Sequence, residues 1–93
     1  MSESERERRL VVAGPAVRDL GRLPEKAAAA VIECLEAIAV APRRIGKPLR
    51  FELSGLWSAR RGPYRVIYRI EDDGSVTVLA VGHRADVYGR GRP

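Results

Sequence analysis

Two different periods of hydrophobic positions divide the chain. After Pro24, apolar residues recur at spacings of three and four, which predicts an amphipathic helix that runs to about Val40 and ends before Pro42: Ala28, Val31, Leu35 and Ile38. From Phe51 onward the period changes to two, which is typical of half-buried β-strands. The alternation predicts three strands, at residues 56–61, 64–71 and 75–83.

The remaining segments complete a predicted order of β-α-α-β-β-β. Residues 9–13 read RLVVA and predict a short strand, and residues 16–23 predict a short helix that follows Gly14-Pro15. Asp72-Asp73-Gly74 is a hairpin turn signal, and residues 86–88 predict a short last element. We therefore expect an α+β fold, in which a helical hairpin packs on one face of an antiparallel sheet. Residues 1–93 are expected to form one domain, with residues 1–8 frayed.

Alternation within the second strand assigns its side chains to two faces. Tyr64, Val66, Tyr68 and Ile70 are expected beneath the helices, whereas the opposite, open face carries Arg65, Ile67 and Arg69. The preceding strand brings either Arg60 or Arg61 beside Arg65. The choice depends on the register of the turn, because a slip of one residue exchanges the two arginines.

The positive charge is concentrated in the strand-forming half of the chain. Residues 1–42 carry six Lys/Arg and seven Asp/Glu, a balance of −1, whereas residues 43–93 carry eleven and five, a balance of +6. Such a field favours anionic partners, either nucleic acid or an acidic protein segment. With one cysteine (Cys34) and one histidine (His83), a structural zinc site is not expected, nor is a cofactor. The polar N-terminus and the lack of a long apolar run favour a cytoplasmic protein without a membrane partner.

Five segments in order give the chain a family resemblance: AVRDLGRLP at 16–24, IGKPL at 45–49, LSGLW at 53–57, RGPYRVIY at 61–68 and VGHRADVY at 81–88. Together they resemble the RelE/ParE superfamily of small toxins, and its RelE branch in particular. The resemblance implies a ribosome-dependent endoribonuclease that cuts mRNA in the A site. It also implies a cognate antitoxin that wraps the toxin, and contact with operator DNA through that antitoxin only. On charge alone, the antitoxin is expected to be acidic and partly disordered.

The resemblance also suggests which residues do the work. It places catalytic arginines at Arg65 and Arg84, a terminal tyrosine at Tyr88 and a basic residue at Arg60, with Arg61 close by. Arginine is a fixed phosphate ligand but a poor base, since its pKa exceeds ~12. Proton transfer is therefore assigned to Tyr88 or to His83, whose ordinary pKa suits neutral pH.

Two further cations are candidates for the site, and at two positions the chain differs from the family pattern. Lys47 and Arg50, in a basic connector at 43–50, are candidate RNA contacts. Leu56 and Ser58 stand where relatives carry lysines. Two alternatives therefore stay open: a ParE-like toxin that inhibits DNA gyrase, and a weakened homologue that only binds an antitoxin.

Overall fold

The computed structural model describes residues 9–83, and the predictions for residues 1–8 and 86–88 lie outside this range. Three helices and five strands occupy it, in the order β1 (Leu10–Val12), α1 (Gly14–Gly21), α2 (Glu25–Val40), α3 (Pro42–Ile45), β2 (Lys47–Pro48), β3 (Trp57–Arg61), β4 (Tyr64–Ile70) and β5 (Val76–His83). A single 3-10 turn, Phe51–Leu53, lies between β2 and β3. None of the helices within this range is long and apolar enough to cross a membrane.

The strands form one mixed sheet in the order β1-β5-β4-β3-β2. β3, β4 and β5 are an antiparallel meander, because each connection is a short turn between neighbouring strands. β1 returns to the edge of the sheet and pairs parallel with β5, from Leu10 opposite Val76 to Val12 opposite Val78. The predicted α+β class, with its early strand at the edge and its helices on one face, is confirmed, but the sheet is mixed and not wholly antiparallel, because β1 runs parallel to β5.

The connector at 43–50 is more structured than the sequence indicated. The helix α3 follows α2 after one non-helical residue, Ala41. β2 then pairs antiparallel with β3, with Lys47 opposite Ser58 and Pro48 opposite Trp57. Elements of four and two residues are too short to show a period, so the pattern of apolar positions could not predict them. Pro48 is tolerated because β2 is an edge strand. This strand adds Lys47 to the sheet.

The core lies between the helices and one face of the sheet. It consists of apolar side chains of α1, α2, β3, β4 and β5: Ala16, Val31, Cys34, Leu35, Ile38, Ala59, Val66, Tyr68, Val76, Val78 and Val81. Val66 and Tyr68 are fully buried and Tyr64 and Ile70 pack at the margin, as the alternation predicted, but Ile67 on the opposite face is also buried. The Tyr68 hydroxyl donates a hydrogen bond to the backbone oxygen of Pro42 at 2.5 Å, and burial raises the pKa of Tyr68 to about 12. This contact attaches α3 to the sheet.

Candidate functional site

The register of the β3–β4 hairpin separates the two adjacent arginines of β3. Arg60 lies directly opposite Arg65, and Arg61 lies opposite Tyr64. Because paired residues share a face of the sheet, Arg60 joins Arg65 on the open face. Arg61 is on the side of the helices, where its Nη2 contacts Oε1 of Glu33 in α2 at 2.5 Å. Of the two arginines between which the sequence could not decide, Arg60 is therefore the one that lies beside Arg65.

The arginines of the open face differ in whether they have an acidic partner. The Nε of Arg69 lies 3.0 Å from Oε2 of Glu71. Hydrogen bonds from the Thr77 hydroxyl and from Arg69 hold the pKa of Glu71 below its ordinary value. No ion pair joins Arg60 or Arg65 to an acid within residues 9–83. Arg60 and Arg65 therefore face each other as like charges, which is unfavourable in a sheet.

Arg65 also has an unmet hydrogen-bonding need. Its Nε is buried and has no hydrogen-bond partner among the described residues. A buried donor without a partner costs free energy, and a charged donor costs more than a neutral one. An anion bound at the two arginines would offset their positive charges. The pair is thus suited to an anion by its charge, whereas the buried Nε reaches a ligand only if its surroundings move.

Lys47 extends the positive surface along the neighbouring strand. It lies opposite Ser58, two residues from Arg60 along β3, and its side chain is exposed. Alternation places Lys47, Ser58 and Arg60 on the same face. We call Lys47, Arg60 and Arg65 the cationic face. Its floor is formed by Ser58 and Ile67, which lie opposite each other and are both only 7% exposed.

β5 brings a glycine, rather than the histidine, beside Arg65. Gly82 pairs with Arg65, and His83 pairs with Tyr64. The His83 and Tyr64 rings meet edge to face, with centroids 6.2 Å apart. The register therefore aligns His83 with Tyr64 and Arg61, not with the cationic face. Arg84 and Tyr88, the other two predicted catalytic residues, lie outside the described residues.

Arg50 lies apart from the cationic face. It begins the loop at 50–55 between β2 and β3, and its side chain is exposed. The backbone hydrogen bond from Leu49 to Leu56, at 2.8 Å, closes this loop and sets it beyond the end of the ladder. Of the five candidate phosphate ligands on β2, β3 and β4 or beside them, the structure places three on one face of the sheet: Lys47, Arg60 and Arg65.

One buried acid supports the end of β5 and was not recognised in the sequence. Oδ2 of Asp19 accepts a hydrogen bond from the backbone N–H of Val81 at 2.9 Å, and Asp19 is 4% exposed. β1 ends opposite Val78, so within residues 9–83 the outer edge of β5 has no strand partner at Val81. Asp19 supplies that acceptor from α1, one residue before Gly82. The only sequence signal was an acid beside the apolar positions of a short helix, which usually indicates a solvated side chain.

Several known proteins are similar to this chain over most of its length. The family model described as ParE toxin of type II toxin-antitoxin system, parDE, matches residues 10–88. Toxin RelG of Mycobacterium tuberculosis is 52% identical over 75 residues, which cover 78% of this chain and 86% of the relative. Toxin RelE of the same organism is 46% identical over 81 residues, which cover 85% and 84%.

A solved structure agrees with these relatives in fold and in sequence. The toxin–antitoxin complex RelBE2 of Mycobacterium tuberculosis contains a chain that is 44% identical, with a TM-score of 0.80. The match covers 85% of this chain and 100% of that one. The chain therefore belongs to the RelE/ParE superfamily of type II toxin–antitoxin toxins, and within it to the RelE branch.

Proposed function

We propose that this toxin is an endoribonuclease that cuts mRNA in the ribosomal A site and so inhibits translation. The observation that carries the proposal is the Arg60/Arg65 pair on the open face of the sheet. Two guanidinium groups face each other there without an acidic partner among the described residues, and the Nε of Arg65 is buried and unbonded. A site of this kind favours a phosphate oxygen, since an anion offsets the two positive charges.

The proposed reaction is an attack of the RNA 2′-hydroxyl on the adjacent phosphorus. The new 2′-O–P bond forms as the P–O5′ bond breaks, which leaves a 2′,3′-cyclic phosphate and a 5′-hydroxyl. One proton leaves the 2′-oxygen and one reaches the 5′-oxygen. Arg60 and Arg65 would hold the phosphate and stabilise the negative charge of the pentacoordinate transition state, with Arg84 as a third ligand. Lys47 adds a positive charge to the same face.

Proton transfer needs a group other than arginine. Tyr88 and His83 are the two candidates. His83 is not aligned with the cationic face, and Tyr88 lies outside the described residues. Since His83 pairs with Tyr64 rather than with Arg65, Tyr88 becomes the preferred candidate. His83→Gln tests the assignment directly. Loss of cleavage with retained ribosome binding would restore His83, and cleavage at the wild-type rate would remove it from the mechanism.

The proposed partners follow from the same surface. The similar structure from Mycobacterium tuberculosis is a toxin–antitoxin complex. We infer that this chain also has a cognate antitoxin, an acidic and partly disordered protein whose carboxylates cover the cationic face. In this proposal the complex contacts operator DNA through the antitoxin, and the free toxin contacts the ribosome and mRNA.

Expression in a translating extract, with mRNA ends mapped by primer extension, tests the nuclease proposal. Arg65→Ala and Arg60→Ala should each reduce cleavage by about 10²–10³-fold, the usual cost of removing one group that stabilises a transition-state charge. Arg69→Ala is the matched control, because Arg69 is on the same face of the same strand but is paired with Glu71. It removes an equal charge and should leave the cleavage sites in place.

Other outcomes of this experiment point to the alternatives. Intact mRNA together with altered supercoiling of plasmid DNA in the extract would support a ParE-like inhibitor of gyrase. A wild-type chain that causes neither effect would be a homologue that only binds its antitoxin. Equal loss of cleavage with Arg65→Ala and Arg69→Ala would show that net charge, not the Arg60/Arg65 pair, is what matters.

A further inference from the structure

Phe51 combines two features that do not stabilise the fold. Its side chain is 85% exposed, more than any other large hydrophobic residue that the structure describes, the next being Val17 at 54%. Its backbone φ is 59°, the only positive φ of a non-glycine residue within residues 9–83. A bulky side chain is rarely found in this left-handed region, because Cβ crowds the backbone there. Strain at an exposed aromatic residue is a reason to look for a function.

The surroundings of Phe51 are cationic. Phe51 begins the 3-10 turn in the loop between β2 and β3, directly after the exposed Arg50. Residues 43–50 contain four cations and no acid, and Glu52 is the one acid of the loop at 50–55. The chain neighbours of Phe51, Arg50 and Glu52, are charged, and Leu53 is a second exposed apolar side chain of the same turn, at 38%. Such a setting suits a partner with negative charges and flat apolar rings better than a protein that needs a broad apolar patch.

Phe51 and the cationic face belong to the same hairpin. β2 and β3 pair from Lys47 opposite Ser58 to the hydrogen bond between Leu49 and Leu56, and the loop that carries Phe51 follows at once. Arg60 is four residues further along β3 than Leu56, or roughly 13 Å at ~3.3 Å per residue. Lys47, which lies opposite Ser58, is between Arg60 and the loop along this hairpin. A single strand of nucleic acid that follows β3 could therefore contact Arg60, Lys47 and the loop in succession.

We propose that Phe51 is a stacking platform for a base of single-stranded RNA, outside the site of cleavage. The left-handed backbone holds the ring away from the protein, so that its face is available to a base. Arg50 and Lys47 contact the flanking phosphates. The choice of RNA as the nucleic acid rests on the proposed nuclease function, but the stacking contact itself does not require cleavage. Stacking of this kind tolerates different bases, because every base has an aromatic face.

Binding of a fluorescently labelled, single-stranded oligoadenylate at low salt, measured by anisotropy, tests the proposal. Phe51→Ala should weaken binding by about 5- to 100-fold, the range found when one stacking side chain is truncated. Phe51→Trp should bind as well as the wild type or better, and Phe51→Leu should be nearly as weak as Phe51→Ala. Val17→Ala is the control, since it removes another exposed apolar side chain from α1. Circular dichroism should show that all four variants stay folded.

Three results would overturn the proposal. They are wild-type affinity in Phe51→Ala, wild-type affinity in Phe51→Leu, and a wild-type protein that does not bind the oligonucleotide. Normal RNA binding by Phe51→Ala with weakened binding of the cognate antitoxin would assign the residue to a protein interface instead. Mapping mRNA ends in parallel separates this inference from the nuclease proposal. If the wild-type chain does not cleave mRNA but Phe51→Ala loses oligonucleotide binding, the stacking proposal stands and the nuclease proposal fails. If the wild-type chain cleaves mRNA and Phe51→Ala binds the oligonucleotide normally, the stacking proposal fails.

Discussion

Replacement of Gly46 by alanine is expected to destabilise this protein although Gly46 has an ordinary backbone conformation. Its φ is −107° and its ψ is −176°, which any residue can adopt. The reason for glycine is space. A Cβ at this position would overlap the Tyr68 hydroxyl oxygen, and it would lie 2.9 Å from Cζ of Tyr68 and 3.0 Å from the backbone oxygen of Ser58. Tyr68 is fully buried, so its ring has little room to move away.

Two costs add up in Gly46→Ala. Forcing an extra carbon into a packed core typically costs about 1–3 kcal/mol. If the Tyr68 ring shifts, its hydroxyl also leaves the backbone oxygen of Pro42, and a buried polar group without its partner costs about 1–3 kcal/mol. Together we expect a loss of about 2–4 kcal/mol in the free energy of unfolding. In a domain of this size, that corresponds to a fall in Tm of roughly 10–30 °C.

Thermal and urea denaturation followed by circular dichroism measure this loss. Gly21→Ala is the control, because a Cβ at Gly21, in the last turn of α1, meets nothing within 4 Å. It should be neutral or stabilising by about 0.5–1 kcal/mol. The pair Gly46→Ala and Tyr68→Phe gives a sharper test, since removal of the hydroxyl removes the worst overlap. Gly46→Ala should cost less in the Tyr68→Phe background. Equal costs in both backgrounds, or a Gly46→Ala variant within about 0.5 kcal/mol of the wild type, would refute the reasoning.

Three further predictions concern buried titratable side chains: Tyr68, Cys34 and Asp19. Burial raises the pKa of Tyr68 from 10.0 to about 12, so its contribution to the free energy of unfolding is complete below pH 10 and is lost as the pH rises toward 12. In urea denaturation at alkaline pH, Tyr68→Phe should therefore lose less stability with rising pH than the wild type. Burial also raises the pKa of the Cys34 thiol, so a chromogenic disulfide reagent should modify it quickly only in denaturant, and rapid labelling of the folded protein would contradict this. Asp19→Ala should cost about 1–3 kcal/mol and shift the amide resonance of Val81, whereas Asp19→Asn, which keeps an acceptor oxygen, should cost less.

Periodicity predicted the long elements of this fold because each of them shows several repeats of its own period. The helix α2 has sixteen residues and β4 has seven, and both were placed to within about a residue. The faces of β4 followed directly, since alternation assigns side chains once the strand is known. The elements that were missed, α3 and β2, are four and two residues long. Their formation depends on tertiary contacts, such as the one between Tyr68 and Pro42, which a local pattern does not show.

The sequence predicted which residues could form the candidate site, but it did not predict which of them lie opposite each other. The sequence indicated a group of cations near β4, yet only the register of the hairpin shows that Arg60 faces Arg65 and that Arg61 pairs with Glu33. A one-residue slip would have exchanged the two arginines, so no reading of residue types could decide between them. The register of β5 against β4 likewise places Gly82, not His83, opposite Arg65. Resemblance to a family suggested which residue types to consider, and pairing across strands shows which of those residues lie opposite each other.

The Arg60/Arg65 pair is better explained by binding than by folding. Directly opposed like charges in a sheet destabilise it by up to ~1 kcal/mol, and the buried Nε of Arg65 adds a further cost. The same strand shows that the cost is avoidable, because Arg69 is paired with Glu71 two residues along the chain. An acid placed beside Arg65 would stabilise the free protein in the same way, but it would also compete with any phosphate. Without an acidic partner among residues 9–83, the two arginines keep the face available for an anion. If the phosphates of RNA and the carboxylates of an antitoxin both bind at this face, as we propose, the two partners exclude each other there.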